Sequence, residues 1–128
     1  MAKIAIKVSD AELEILKVLW AKGSPMTDRQ IRDALGGDSN WKTTTIQTLI
    51  KRLLDKGAVQ REKKEVFYYM PVLSQADFAR DRTEDLVNKF FGGNAKSLIS
   101  AMLGSNLLSE ADMDDLKSYW RERKEKHE

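Results

Sequence analysis

The sequence contains no cysteine, a single histidine and only two prolines among 128 residues. Without cysteine there are no disulfides, no thiolate metal sites and no cysteine nucleophile. The one histidine, His127, stands beside the last residue, with no plausible carboxylate partner and no phosphate-cradling glycine loop in the chain. No catalytic constellation is identifiable, so the chain is not expected to be an enzyme or to carry a metal or cofactor. Uninterrupted apolar runs are only a few residues long, far short of the roughly 20 that span a bilayer. The opening stretch MAKIAIKVSDAE lacks the long apolar core and small-residue cleavage site of a secretory signal. The expected compartment is the cytoplasm.

An excess of one charge is also missing: 22 Lys+Arg face 20 Asp+Glu, for a net charge of +2. The distribution is uneven, however. Residues 1–73 carry 13 basic against 9 acidic side chains, and residues 74–128 carry 9 against 11. Within Lys42 to Lys64 the balance reaches 7 against 2. A local excess of that kind favours a polyanionic partner, although a solvated face would show it too. The 41% hydrophobic share is too high for a disordered chain and ordinary for a helix-rich globular one.

Helix starts are legible. Ser9 to Glu12 and Thr27 to Gln30 have the capping-box form, and Ser74 to Asp77 and Ser109 to Asp112 are shorter-armed versions. Each precedes apolar residues at helical spacing, which predicts helices near 9–22, 27–35, 42–56, 74–91, 94–104 and 109–125. Gly23, Gly36-Gly37, Gly57 and Gly92-Gly93 fall at the ends, where a left-handed residue can close a helix. In the third helix Ile46, Leu49, Ile50, Leu53 and Leu54 form one apolar stripe. The opposite face holds Thr44, Thr48, Lys51 and Asp55, flanked by Thr45 and Arg52. Threonine is a mediocre helix former, so the run Thr43-Thr44-Thr45 makes better sense as caps, phosphate contacts or base contacts.

After Gly57 the period becomes alternating. Val59 to Arg61 and Val66 to Tyr69 read as two strands, with Glu62 to Glu65 as a charged tip and Pro71 as the end. Three helices followed by a hairpin make a winged helix-turn-helix, so the fold class is mainly α with a small β-hairpin. One helix fits the major groove of duplex DNA while a hairpin can follow the backbone. Arg61, Lys63 and Lys64 on the wing, with Lys42, Lys51, Arg52 and Lys56 on the helix, are the expected phosphate contacts. Thr44, Thr45 and Thr48 are the candidates for base readout, with Thr43 at the helix start. Trp20 is expected in the core, and Trp41 as packing or a backbone contact.

Residues 74–128 carry apolar stripes with little chain to cover them: Leu86, Phe90 and Phe91, then Leu98, Ile99, Met102 and Leu103, then Met113, Leu116, Tyr119 and Trp120. A segment of roughly 55 residues is small for an independent core. Two copies can bury these stripes together, and two half-sites need a two-fold partner. The division expected is therefore a DNA-binding domain at 1–73 and a helical dimerisation region at 74–128. Leu86, Phe90, Leu98, Met102, Met113, Leu116 and Trp120 line the expected interface. The rival reading is a winged helix used only for protein interaction.

Ser9-Asp-Ala-Glu-Leu-Glu-Ile-Leu-Lys-Val-Leu-Trp20, Trp41 leading to Thr45-Ile-Gln-Thr-Leu49, Arg52-Leu, Lys56-Gly-Ala58 and Val66-Phe-Tyr-Tyr-Met-Pro71 occur in that order. Together they closely resemble the penicillinase-repressor (BlaI/MecI) family. The resemblance implies a homodimer that binds a palindromic operator and represses transcription, often of β-lactam-resistance genes. Where the family has Ser-Pro before the recognition helix, this chain has Lys42-Thr43, and Thr44 takes the place of a family lysine. Antibiotic-responsive members are induced by a sensor-linked protease at an Asn–Phe bond. Alignment puts Ala101-Met102 at that bond, which matches neither residue. Copper-responsive relatives use a cysteine cluster, which this sequence lacks.

Overall fold

The computed structural model describes residues 6–36 and 41–127. The elements run α1 (Asp10–Lys22), β1 (Met26–Thr27), α2 (Asp28–Leu35), α3 (Thr43–Asp55), β2 (Val59–Lys63), β3 (Phe67–Pro71), α4 (Gln75–Phe90), α5 (Ala95–Gly104) and α6 (Glu110–His127). The helices predicted from capping and periodicity are all present. Two compact units divide the chain, Met1–Arg82 and Thr83–Glu128.

In the first unit, α1 starts at a complete capping box: Ser9 N–H donates to Glu12 Oε1 at 3.1 Å, and Glu12 N–H donates to Ser9 Oγ at 3.1 Å. It ends at Gly23, whose left-handed backbone (φ 71) directs its N–H to the Leu19 carbonyl. Thr27 and Gln30 close the same reciprocal box on α2. Gly36 behaves otherwise than expected, with φ −74 in the right-handed region. Its need is for space, since a Cβ there would stand 3.0 Å from the Arg32 carbonyl oxygen. Gly37 lies outside the described residues.

Ile15, Leu16 and Leu19 of α1 meet Ile46, Leu49, Ile50 and Leu53 of α3 in the core, joined by Met26, Ile31, Ala58, Val59 and Phe78. The α3 stripe is the buried face that its spacing dictated. Gly57 (φ 77) then turns the chain from helix to strand, with Ala58 N–H returning to the Leu53 carbonyl. A side chain at that backbone conformation would be strained.

The hairpin is longer than its alternation indicated and belongs to a three-stranded antiparallel sheet ordered β1-β3-β2. Val59 pairs with Pro71, Arg61 with Tyr69 and Lys63 with Phe67, so Lys63 is in the strand and the tip narrows to Lys64-Glu65-Val66. Pro71 is the last residue of β3, so the hairpin ends there as expected, with the proline inside the strand. The short β1 pairs only Met26 with Tyr69 and Thr27 with Tyr68, leaving Pro71 with a neighbour on one side alone. Thr27 thus ties the sheet to α2, pairing through its backbone and capping the helix through its hydroxyl.

The first unit extends into α4. Trp20 donates its indole N–H to the Leu73 carbonyl at 2.9 Å and packs on Phe78 with ring centroids 5.5 Å apart. Arg82 bonds the Ile6 carbonyl and pairs with the buried Asp81 at 2.6 Å. These contacts carry the first unit to Arg82, beyond the boundary expected after residue 73.

The second unit comprises the remainder of α4 with α5 and α6. Ser109 and Asp112 exchange both capping hydrogen bonds at the start of α6. Asn106 (φ 59) closes α5, and the next N–H, of Leu107, returns to the Met102 carbonyl at 3.0 Å. No described residue from Thr83 onward is fully buried. No helix among the described residues is long and apolar enough to cross a membrane.

Candidate nucleic-acid interface

The helix α3 begins at Lys42, whose side chain makes no capping hydrogen bond, and its first turn has no acidic residue. The backbone N–H groups of Thr43, Thr44 and Thr45 precede the first intrahelical donor, which is Ile46 to the Lys42 carbonyl at 3.1 Å. A positive helix end without a side-chain cap suits an anion. The threonines are therefore not N-caps by their hydroxyls, and all three stand exposed. Thr48 is exposed as well and donates its hydroxyl proton to the Thr44 carbonyl at 2.9 Å. That leaves Thr48 a methyl group and an accepting oxygen to present outward.

Lys51 and Arg52 are exposed on the same side of the helix. Gln47, outside both the apolar stripe and the threonine face, donates its amide N–H to Asp28 Oδ2 at 3.1 Å. Asp28 also lies 3.4 Å from Arg32 Nε. A carboxylate can only accept, so this bond fixes which end of the Gln47 amide faces α2. Gln47 sits about 100° around the helix from the centre of the apolar stripe. It lies at the edge of the exposed face, and its spacing to a residue on another helix was invisible in the sequence.

Lys56 has a different environment from the one expected. Its ammonium lies 2.6 Å from Oε1 of Glu12, which is buried to 2% exposure. Burial pushes the Glu12 carboxyl up. Hydrogen bonds from Lys56 and Ser9 outweigh it and hold the group below its ordinary value. The Lys56 charge therefore compensates a buried carboxylate and does not stand free for phosphate.

On the wing, Val59, Arg61 and Lys63 share one face with Phe67 and Tyr69, and Gln60 and Glu62 occupy the other. The Arg61 guanidinium lies 4.1 Å from the Phe67 ring centroid, and the Lys63 ammonium lies 5.6 Å from it. Lys64 lies 5.5 Å from the Tyr68 ring. An open cleft between α3 and the wing is lined by Asp28, Gln47, Lys51, Asp55, Arg61 and Tyr69. Among the described residues, Lys42, Lys51, Arg52, Arg61, Lys63 and Lys64 form no ion pair with a carboxylate. The surface made by α3 and the wing therefore carries six cations around exposed threonines, none of them ion-paired with a carboxylate among the described residues.

The penicillinase repressor family profile matches residues 8–122. The chain belongs to the penicillinase-repressor family. It is 34% identical over 119 residues to the penicillinase repressor of Bacillus licheniformis, covering 92% of each chain. It is 26% identical over 113 residues to the methicillin resistance regulatory protein MecI of Staphylococcus aureus (strain N315), covering 88% of this chain and 91% of MecI. Among solved structures, monomeric B. licheniformis BlaI in complex with the blaP half-operator is similar, with a TM-score of 0.52 and 38% identity. That match covers 59% of this chain and 93% of BlaI as solved. The penicillinase-repressor family consists of transcriptional repressors, not enzymes, and the winged helix of the first unit is its DNA-binding domain fold.

Proposed function

We propose that this penicillinase-repressor family member binds duplex DNA sequence-specifically as a homodimer on a palindromic operator and represses transcription from it. The observation that carries the reading is the surface of α3 and the wing, where cations that pair with no carboxylate among the described residues surround exposed threonines, on a fold shared with BlaI bound to its half-operator. The N-terminal half of α3 enters the major groove. Lys42, Lys51 and Arg52 with the wing cations Arg61, Lys63 and Lys64 neutralise phosphates, while Thr44, Thr45 and Thr48 face base edges. Lys56 is left out of the phosphate set because Glu12 holds it.

The second unit supplies the two-fold partner. Leu86, Phe90, Leu116 and Trp120 are exposed, and Leu98, Met102 and Met113 are half-buried, so a second copy has an apolar surface to cover. The names of the relatives point to β-lactam-resistance-type genes as the regulated class. Release by a sensor-linked protease at Ala101-Met102 belongs to the same reading. It requires α5 to unwind, because the Ala101 carbonyl accepts from Ser105 and the Met102 carbonyl from Leu107.

The test is selection of bound duplexes from a random pool, with the enriched sequence retitrated at two salt concentrations. The expected outcome is a palindrome with half-sites spaced by about one helical turn or a multiple of it. Affinity for it should fall steeply with salt, by about 0.9 logarithmic units per neutralised phosphate for each tenfold rise. A folded protein that enriches nothing would shift the assignment to a protein-interaction module.

A further inference from the structure

We propose that Phe67 is a positioning residue that holds Arg61 and Lys63 together as one preformed phosphate receptor on the cleft side of the wing. The role rests on the DNA-binding reading and goes beyond it by saying how the wing achieves its contact. Strand register puts Phe67 directly opposite Lys63 and diagonal to Arg61, on the same face as the buried Val59. Arg61 shares the lining of the cleft with Lys51 of α3. Phe67 is on that same face of the hairpin, and it lines the adjoining groove with Thr27 and with Asp28, Arg29 and Arg32 of α2 rather than the cleft beside α3.

Two cations share this one ring, at 4.1 and 5.6 Å from its centroid. Neither pairs with a carboxylate among the described residues, and Glu62 points to the opposite face. Like charges held against one ring repel each other, and an anion bound beside them relieves the repulsion. A phosphodiester meets that need, and a planar guanidinium can bond two of its oxygens at once. The aromatic face limits the positions Arg61 samples before binding, so less freedom is lost when phosphate arrives. Lys64 lies over Tyr68, a neighbouring ring on the opposite face, and is outside this receptor.

The experiment measures duplex affinity across a salt series for Phe67→Leu, Phe67→Tyr, Arg61→Gln and the double variant Phe67→Leu with Arg61→Gln. Phe67→Leu should weaken binding roughly fivefold and flatten the salt dependence. Phe67→Tyr should restore both. In the Arg61→Gln background, Phe67→Leu should add a smaller further loss than in the unaltered chain, because only Lys63 is then left for the ring to position. Equal losses in both backgrounds, or no loss in a folded Phe67→Leu, overturn the role and leave DNA binding standing. Failure of the unaltered chain to bind duplex DNA overturns the parent reading and this role with it. Should Phe67→Leu not fold, the Arg61 side-chain proton shifts of the unaltered protein decide. Upfield displacement by the ring supports the stack, and random-coil values overturn it.

Discussion

The ammonium of Lys56 lies 2.6 Å from a Glu12 oxygen that solvent hardly reaches, while the other Glu12 oxygen is buried with no hydrogen-bond partner among the described residues. Removing the cation strands a buried carboxylate, which is costlier than never having had the pair. Lys56→Met is expected to lower stability by about 2 kcal/mol, less than for a fully buried pair because the lysine is partly exposed. Denaturant melts would measure it, and the salt slope of DNA binding should not change. A flatter slope would return Lys56 to the phosphate contacts. The Glu12 carboxyl is held below its unfolded value, so its contribution is fully present above about pH 4.5. That contribution disappears as pH falls through the lower folded value. Glu12→Gln should therefore be less stable than the unaltered chain at neutral pH, and the gap should close in acid. Stability of the two proteins measured from pH 7 to pH 3 would show it. A gap independent of pH would assign the loss to packing.

Thr48 belongs to the same scale. Its hydroxyl proton goes to the Thr44 carbonyl, so a base can meet only its methyl or its lone pairs. Contact with a thymine methyl is the reading that uses what is left. Thr48→Val keeps the methyl and should hold the operator preference. Thr48→Ser and Thr48→Ala should lower the ratio of specific to non-specific affinity by up to about tenfold. Competition titrations with operator and unrelated duplex separate the outcomes, and a parallel fall in both affinities would make Thr48 a phosphate contact.

At the scale of elements, what the sequence revealed depended on how far apart the determining residues stand. The helices were legible because capping pairs are three residues apart and apolar stripes recur every three or four. Ser9 with Glu12, and Ile46 with Leu49, Ile50 and Leu53, carry their meaning within one or two turns. The exposed face of α3 followed from the same geometry. β1 was not legible, because two residues are too few to show alternation and their partners Tyr68 and Tyr69 lie some forty positions away. The partner of Lys56 was hidden for the same reason, Glu12 being 44 residues distant. Gln47 escaped because Asp28 lies on another helix, and the stacking of Arg61 on Phe67 appears only when strand register is known. Local order was readable, and the side-chain pairings that decide which cations stand free were not.

For the whole molecule, the question is what covers the second unit. Phe90 is 73% exposed and Trp120 67%, while no described residue from Thr83 onward is fully buried. A monomer would keep these large rings in water, whereas an isologous dimer removes them from it at roughly 25 cal/mol per Å² of apolar surface. Phe90→Asp together with Trp120→Asp should yield a monomer with an intact first unit, since Ile15, Leu53 and Phe78 are packed there without help from these residues. Sedimentation would report the mass. The operator titration carries the further consequence, because linked half-site binding multiplies affinity by about 10² to 10⁴ without adding a contact. The double variant should therefore lose at least about a hundredfold on the full palindrome while its affinity for a single half-site stays the same. If it remained a dimer, the interface would have to be moved off Phe90 and Trp120. If it became monomeric yet bound the palindrome as tightly as before, the two-fold operator reading would fail, and the α3 and wing surface would have to account for all the affinity alone.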